Sequence, residues 1–287
     1  MIDLHTHSTA SDGNKSPKDL ISYTASKNIS VIALTDHDTI SGLKEAKEEA
    51  EKLNITFIPG IELNINWNKG EFHLLGLGLT SCSPLLKDII QKLQAGRDIR
   101  NLEIINNMKK ANFDVSMEEL KDFFPDSILG RPHIAKYLVE KKICKTMQQS
   151  FDKYLGKGRP FYVNRIGADL DEAIVAITES GGIPILAHPL SLYLSWGKME
   201  PILQNLKERG IEGLEAFHSG VKKNEALRLE ELARKIGFFV TGGSDFHGEH
   251  IRKDRKIGYA CGGEKIPERL WTEELEPQLK RINFLQQ

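Results

Sequence analysis

The chain is short of cysteine, of aromatic residues and of net charge, and each shortage excludes something. Its three cysteines, Cys82, Cys144 and Cys261, are odd in number and far apart, with no closely spaced pair. They exclude a disulfide scaffold and a thiolate zinc site, and fit a reduced cytoplasmic protein. Lys and Arg total 39 against 40 Asp and Glu, a net charge of −1. A long nucleic-acid duplex, whose phosphates need a basic surface, is therefore not the expected ligand. A mononucleotide or short oligonucleotide needs only a local basic cluster. No apolar run is long enough to span a bilayer, and no basic and apolar leader precedes the first strand, so no membrane or secretory role is expected. With 287 residues the chain can bury the core of one barrel with an insertion.

What the chain does have is histidine at the ends of apolar runs. Met1-Ile2-Asp3-Leu4 leads to His5 and His7; Val31-Ile32-Ala33-Leu34 leads to Asp36, His37 and Asp38. Ile183-Pro184-Ile185-Leu186-Ala187 leads to His188, and Phe238-Phe239-Val240-Thr241 to Asp245 and His247. Glu62 follows Phe57-Ile58-Pro59-Gly60-Ile61, and His73 precedes Leu74-Leu75-Gly76. The runs read as buried strands, so their polar sequels stand at strand C-termini, where α/β barrels build active sites. Any one histidine is ordinarily a structural or surface residue, but six of the nine share this placement. His5 and His7, two apart on a strand, face the same side and can chelate one ion. Imidazole and carboxylate without thiolate is a ligand mixture for Zn, Mn or Fe in a hydrolytic site.

Strand and helix alternate along the first third. Ser16-Pro17 reads as N-cap and first residue of a helix to Lys27, a strand spans 30–35, and a helix covers Gly42–Leu53. The charged run Lys44 to Lys52 is the solvated face of that second helix. Strands follow at Ile55–Leu63 and Glu71–Leu79. From Leu85 to Tyr154 the periodicity is helical and strand-like runs stop, which predicts an α-helical subdomain inserted over the active site at 98–159, with the barrel formed by 1–97 and 160–287. Alternation then resumes with helices at Leu170–Ser180, Glu200–Arg209 and Asn224–Ile236 and strands at 183–187, Gly213–Phe217 and 238–242. The tail from Gly248 reads as irregular.

The ordered motifs His5-Thr6-His7-Ser8, Thr35-Asp36-His37-Asp38, Pro59-Gly60-Ile61-Glu62, Ala187-His188-Pro189 and Ser244-Asp245-Phe246-His247 resemble those of the PHP (polymerase and histidinol phosphatase) superfamily, from residue 2 to residue 247. Gly130-Arg131-Pro132-His133 and Tyr154-Leu155-Gly156-Lys157-Gly158 resemble its stand-alone phosphoesterase branch. That resemblance implies a distorted (β/α)7 barrel and a trinuclear metal centre holding two to three divalent transition metals. It implies removal of the 3′-phosphate of nucleoside 3′,5′-bisphosphates and trimming of short RNA from the 5′ end. It also implies the ligand sets: His5, His7, Glu62 and Asp245 on one ion; Glu62, His73 and His188 on a second; Asp12, His37 and His247 on a third. Asp12 lies in a turn-like Ser11-Asp12-Gly13 segment and would otherwise read as a turn aspartate.

Such a centre hydrolyses a phosphate ester with water as nucleophile, without a phosphoenzyme. His218, at another strand end, is a candidate to protonate the leaving oxygen or hold phosphate, its structural reading being equally weighted. Asp36 is a candidate catalytic-site residue that orients His37 or a neighbouring ligand; Asp38 and Asp3 are weaker candidates for that role. Cationic contacts to a second phosphate are expected first from Arg131 and then from His133, at a helix start. Arg97 and Arg100, on one helical face, and Lys157 and Arg159, after a glycine-rich stretch, come next. Phe161 and Tyr162 are better read as core than as base-stacking residues. The rival readings are a histidinol-phosphate phosphatase, a non-catalytic PHP binding module and a metal-storage protein.

Overall fold

A computed structural model describes residues 1–125, 127–249, 251 and 254–282, so the last five residues of the expected barrel segment lie outside the described ones. By internal contacts the chain divides into two compact units, Met1–Ile90 with Gly167–Gln287, and Gln91–Ile166.

The first unit begins with β1 (Ile2–Asp3), α1 (Pro17–Ser26), β2 (Val31–Leu34), α2 (Leu43–Lys52), β3 (Thr56–Ile65) and β4 (Phe72–Leu77). Helix α3 (Pro84–Lys110) starts here and runs into the second unit, which adds α4 (Met117–Phe123), α5 (Arg131–Glu140) and α6 (Met147–Ser150). The first unit resumes with α7 (Leu170–Glu179), β5 (Ile183–Leu186), α8 (Trp196–Glu208), β6 (Gly213–His218), α9 (Lys223–Ile236), β7 (Phe239–Gly243), the hairpin β8 (Tyr259–Ala260) and β9 (Glu264–Lys265), and α10 (Glu276–Arg281).

Among the described residues β1 to β7 form one sheet in sequence order. All pairings are parallel except β3–β4 and β4–β5. The connection 66–71 explains the exception: a parallel crossover needs a dozen residues or more, whereas this one is short enough only for a hairpin. The barrel is therefore (β/α)-like with one reversed strand. That reversal also accounts for His73. Because β4 runs backwards, its first residues lie at the rim where the parallel strands end, and His73 pairs with Asn64 of β3.

Strands β2, β5 and β6 are buried throughout, as expected for strands with a packed interior on one side and helices on the other. Leu20, Ile21, Ala46 and Ala50 of the first two helices pack on Ile32, Leu34 and Phe246. Ser16 accepts from the Asp19 amide at 3.0 Å, capping the helix that Pro17 opens. The ring closes between β1 and β7, beyond the strands proper: Leu4 N to Gly242 O is 3.3 Å, while Asp245 N to His5 O and His7 N to Phe246 O are each 2.9 Å. The segments that close the barrel are the ones that carry candidate ligands.

The second unit has its own core, with Ile104, Met108, Ile134, Tyr137, Leu138 and Phe161 buried together. The expected insertion at 98–159 falls within it. The tail corrects the sequence reading. It is a short hairpin followed by helical residues from Leu270, whose Leu270, Leu275 and Leu279 are fully buried. The apolar spacing of four to five in this segment was the available signal.

Gly243 is the tightest point of the closure. A Cβ there would lie 2.2 Å from His5 Cβ and 2.8 Å from Glu215 Oε1. We predict that Gly243→Ala destabilises the fold by about 1–3 kcal/mol, the usual cost of overpacking, lowering Tm by roughly 2–4 °C per kcal/mol. Thermal unfolding followed by circular dichroism checks this; an unchanged Tm would show that the closure has slack.

Candidate metal centre

The barrel rim brings seven of the nine expected ligands together around an eighth, Glu62, which is fully buried on β3. Glu62 Oε1 lies 2.8 Å from His73 Nδ1, 3.1 Å from His188 Nε2 and 3.4 Å from His5 Nε2. Its Oε2 lies 2.8 Å from His37 Nδ1 and 3.4 Å from His7 Nε2. Asp245 Oδ1 is 3.0 Å from His7 Nε2, and Asp12 Oδ1 is 3.1 Å from His247 Nε2. Ligand atoms of three groups converge within 4.8 Å: His7, Asp12, His37 and His247; His5, His7 and Asp245; His37, Glu62 and His73. The ninth candidate, Asp12, joins from the loop after β1. Compared with the expected ligand sets, His7 also stands with the Asp12 group and His37 with the Glu62 group.

The remaining hydrogen bonds show which imidazole nitrogens are left to bind. His5 Nδ1 donates to Glu215 Oε1 at 3.0 Å, and His247 Nδ1 donates to the Asp245 carbonyl at 2.9 Å. His188 Nδ1 donates at 2.9 Å to Ser191 Oγ, which spends its own proton on the Glu71 carbonyl. With the proton held on Nδ1 by these contacts, the neutral form of each ring leaves Nε2 facing inward, the tautomer a metal requires. His5 Nε2, both His7 nitrogens, His37 Nδ1 and Glu62 Oε2 are buried with no hydrogen-bond partner among the described residues. Buried polar atoms left in this state are costly, and facing lone pairs of imidazole and carboxylate fit divalent cations.

The carboxylates and imidazoles of the cluster shift one another's proton affinity, and a cation reaching His5 has to displace a proton. Burial alone would raise Glu62, but His37, His73 and His5 outweigh it and hold the carboxyl well below its usual range. Burial pulls His5 down, yet Glu215 and Glu62 prevail and push it up to about 10. Glu215, which burial would raise, is held at about 2 chiefly by His5. Three residues of the rim, Asp38, His188 and Asp245, adopt positive φ of 53°, 27° and 52°. Such backbone costs on the order of 1–3 kcal/mol each and collects at functional sites.

The two catalytic candidates sit in defined hydrogen-bond networks. His218 Nδ1 accepts from the Gly220 amide at 2.9 Å, so the proton sits on Nε2, which donates to Asp245 Oδ2 at 3.3 Å. The ring is a hydrogen-bond donor to the Asp245 carboxylate. Of the two roles expected of Asp36, its contacts match the support of a neighbouring candidate ligand: the carboxylate takes Ser8 N at 2.8 Å, Ser8 Oγ at 2.6 Å and Ser11 Oγ at 2.6 Å, fixing the loop that bears Asp12. Asp3 likewise anchors Ser244 and Gly258, and burial raises it to about 6. Asp38 accepts from the Asn64 amide at 3.1 Å, bracing β3.

The basic candidates all lie in the second unit. Arg97, Arg100 and His133 are buried, and Lys157 and Arg159 are exposed. His133 Nδ1 accepts from the Gly130 amide at 3.1 Å, capping α5. Arg131 donates to the Leu155 carbonyl at 3.3 Å and stacks over Tyr162 at 5.3 Å. Phe161 belongs to that unit's core.

Sequence reasoning missed Glu215 and Arg255. Glu215 Oε1 orients His5 while Oε2 takes the His188 amide at 2.8 Å, so one carboxylate sets two ligands on two strands. Its signal was a lone charge inside the apolar run Gly213-Leu214-Glu215-Ala216-Phe217. Arg255, in the tail, pairs with Asp245 and had no motif to announce it.

The PHP domain family model matches residues 3–154. The chain belongs to the PHP family. Similar relatives include a 5′-3′ exoribonuclease of Haemophilus influenzae, 34% identical over 85% of this chain and 89% of its own length. A 3′,5′-nucleoside bisphosphate phosphatase of Chromobacterium violaceum is 30% identical over 98% of both chains. A solved amidohydrolase structure from Chromobacterium violaceum, with bound sulfate and no metal, superposes with a TM-score of 0.86 at 28% identity, covering 98% of this chain and 96% of that one. This PHP chain is a metal-dependent hydrolase. Among the described residues no helix is long and apolar enough to cross a membrane.

We predict that Glu215→Ala weakens divalent-metal binding by about 10- to 100-fold, as loss of a carboxylate behind a ligand histidine commonly does. Titration of the apo-protein with Mn²⁺ against a chelating dye checks this, and undiminished affinity would reduce Glu215 to a packing residue.

Proposed function

We propose that the protein is a metal-dependent phosphoesterase of small nucleotides. Its proposed reactions are removal of the 3′-phosphate of nucleoside 3′,5′-bisphosphates and release of nucleotides from the 5′ end of short RNA. The observation that carries this reading is the convergence of nine histidine and carboxylate side chains at one rim, in a chain whose relatives are named for those two activities. We assign two to three divalent cations, Mn, Zn or Fe, to His5, His7, Asp12, His37, Glu62, His73, His188, Asp245 and His247. When bound, they acidify water and offset phosphoryl charge. The protein's own part is to hold the ligand rings: Glu215 fixes His5, Ser191 fixes His188, and the Asp245 carbonyl fixes His247. Asp36 keeps Asp12 in place through Ser11. Among the basic residues of the second unit, Arg131 is the one we assign to a substrate phosphate that is not cleaved. Histidinol phosphate is the disfavoured substrate, since no relative described above is named for it.

Activity with Mn²⁺ on a nucleoside 3′,5′-bisphosphate, RNA oligomers and histidinol phosphate, measured side by side, tests the reading. Turnover of the first two with little of the third is expected; preference for histidinol phosphate would contradict it. His5→Ala, Glu62→Ala and Asp245→Asn should each lower turnover by roughly three orders of magnitude. Changing Cys82, Cys144 and Cys261 together to Ser should leave turnover within about tenfold, because no thiolate takes part. A large loss in that triple variant with its fold intact would point to different chemistry.

A further inference from the structure

We propose that Arg255 is a positioning residue for the metal centre: it occupies the outer oxygen of Asp245, so that Asp245 ligates through Oδ1 alone. The proposal rests on the metal-centre reading above and deepens it.

The two oxygens of Asp245 have separate surroundings. Oδ1 faces His7 Nε2 at 3.0 Å, His5 Nε2 at 3.6 Å and His247 Nδ1 at 3.5 Å. Oδ2 faces the guanidinium of Arg255 and, at 3.3 Å, His218 Nε2. The Arg255 nitrogen that meets Oδ2 also donates to the Asp245 main-chain carbonyl at 3.1 Å. One nitrogen therefore holds both ends of the residue, including the left-handed backbone, φ 52°, that turns the carboxylate inward. His218 can only donate here, because the Gly220 amide occupies its other nitrogen. With a cation and an N–H on Oδ2, a bidentate mode would require breaking both contacts, whereas Oδ1 remains open toward three imidazoles.

Geometry explains why arginine is used. Arg255 is 8% exposed and reaches both the Oδ2 and the main-chain carbonyl of Asp245. A guanidinium carries its donors at fixed angles, so its hold on a carboxylate is directional where a lysine ammonium's is not. Arg255 faces a ligand carboxylate and not open solvent, which places it behind the ligand and apart from the substrate.

The test uses full-length apo-protein and Mn²⁺ in competition with a chelating dye, together with kinetics on a nucleoside 3′,5′-bisphosphate. Arg255→Ala should weaken Mn²⁺ binding about 10- to 100-fold, the usual effect of removing a group that holds a ligand. Arg255→Lys, which keeps a cation, should retain more affinity. At saturating Mn²⁺ the Ala variant should recover kcat and substrate KM to within about threefold of wild type, an outcome that mere structural damage does not give. His218→Ala, which removes the other donor to Oδ2, should shift Mn²⁺ affinity in the same direction, and serves if Arg255→Ala fails to fold. Unchanged Mn²⁺ affinity with a raised substrate KM would overturn the proposal and make Arg255 a substrate contact. A wild-type chain that binds no Mn²⁺ would instead overturn the metal-centre reading itself.

Discussion

Everything at the barrel rim is arranged around one buried carboxylate. Glu62 has no exposed surface, and five imidazoles stand within 3.4 Å of its oxygens. A lone carboxylate in such a place would neutralise itself or unfold its surroundings. Here it is compensated by rings drawn from β4 and the segments after β1, β2 and β5, so four parts of the barrel are tied to one charge. Around it a second ring of polar groups holds the holders: Glu215 behind His5 and His188, Asp36 behind the Asp12 loop, Arg255 behind Asp245. Those outer contacts fix the side chains that face Glu62, and for His5 they decide which ring nitrogen points inward.

The arrangement also accounts for the irregular backbone. Asp38, His188 and Asp245 adopt left-handed conformations that a β-strand would avoid, each a few residues beyond a strand's end. The strands supply rigidity, and the strain is confined to the residues that must turn inward. Gly243 and Gly13 let neighbouring segments pass close: a Cβ at Gly13 would lie 2.5 Å from the His7 carbonyl oxygen. Stability is given up at the rim and recovered from the buried strands beneath it.

The cluster of candidate ligands was legible in the sequence because histidines that recur beside carboxylates at strand ends seldom serve packing alone. The alternation of β2, α2 and β3 was legible for the same reason as any α/β unit: apolar runs of strand length separated by amphipathic helices. Less legible were features that depend on tertiary geometry. Reversal of β4 follows from a short connection whose consequence emerges only in three dimensions. Glu215 looked like one acidic residue in a strand, and its two partners lie 210 and 27 residues away. Arg255 sits in a segment without periodicity. His218 and Asp36 shared the strand-end signature, yet sequence does not reveal that the one bonds the Gly220 amide and the other Ser8 and Ser11.

The central claim is that the Glu62 cluster is a multinuclear metal site. Elemental analysis of the purified chain after Mn²⁺ reconstitution and removal of loosely bound metal tests it most directly, with Glu62→Ala prepared in parallel. Between two and three transition-metal ions per wild-type chain, and at least one fewer in Glu62→Ala, is the predicted result. Under one ion per wild-type chain would contradict it.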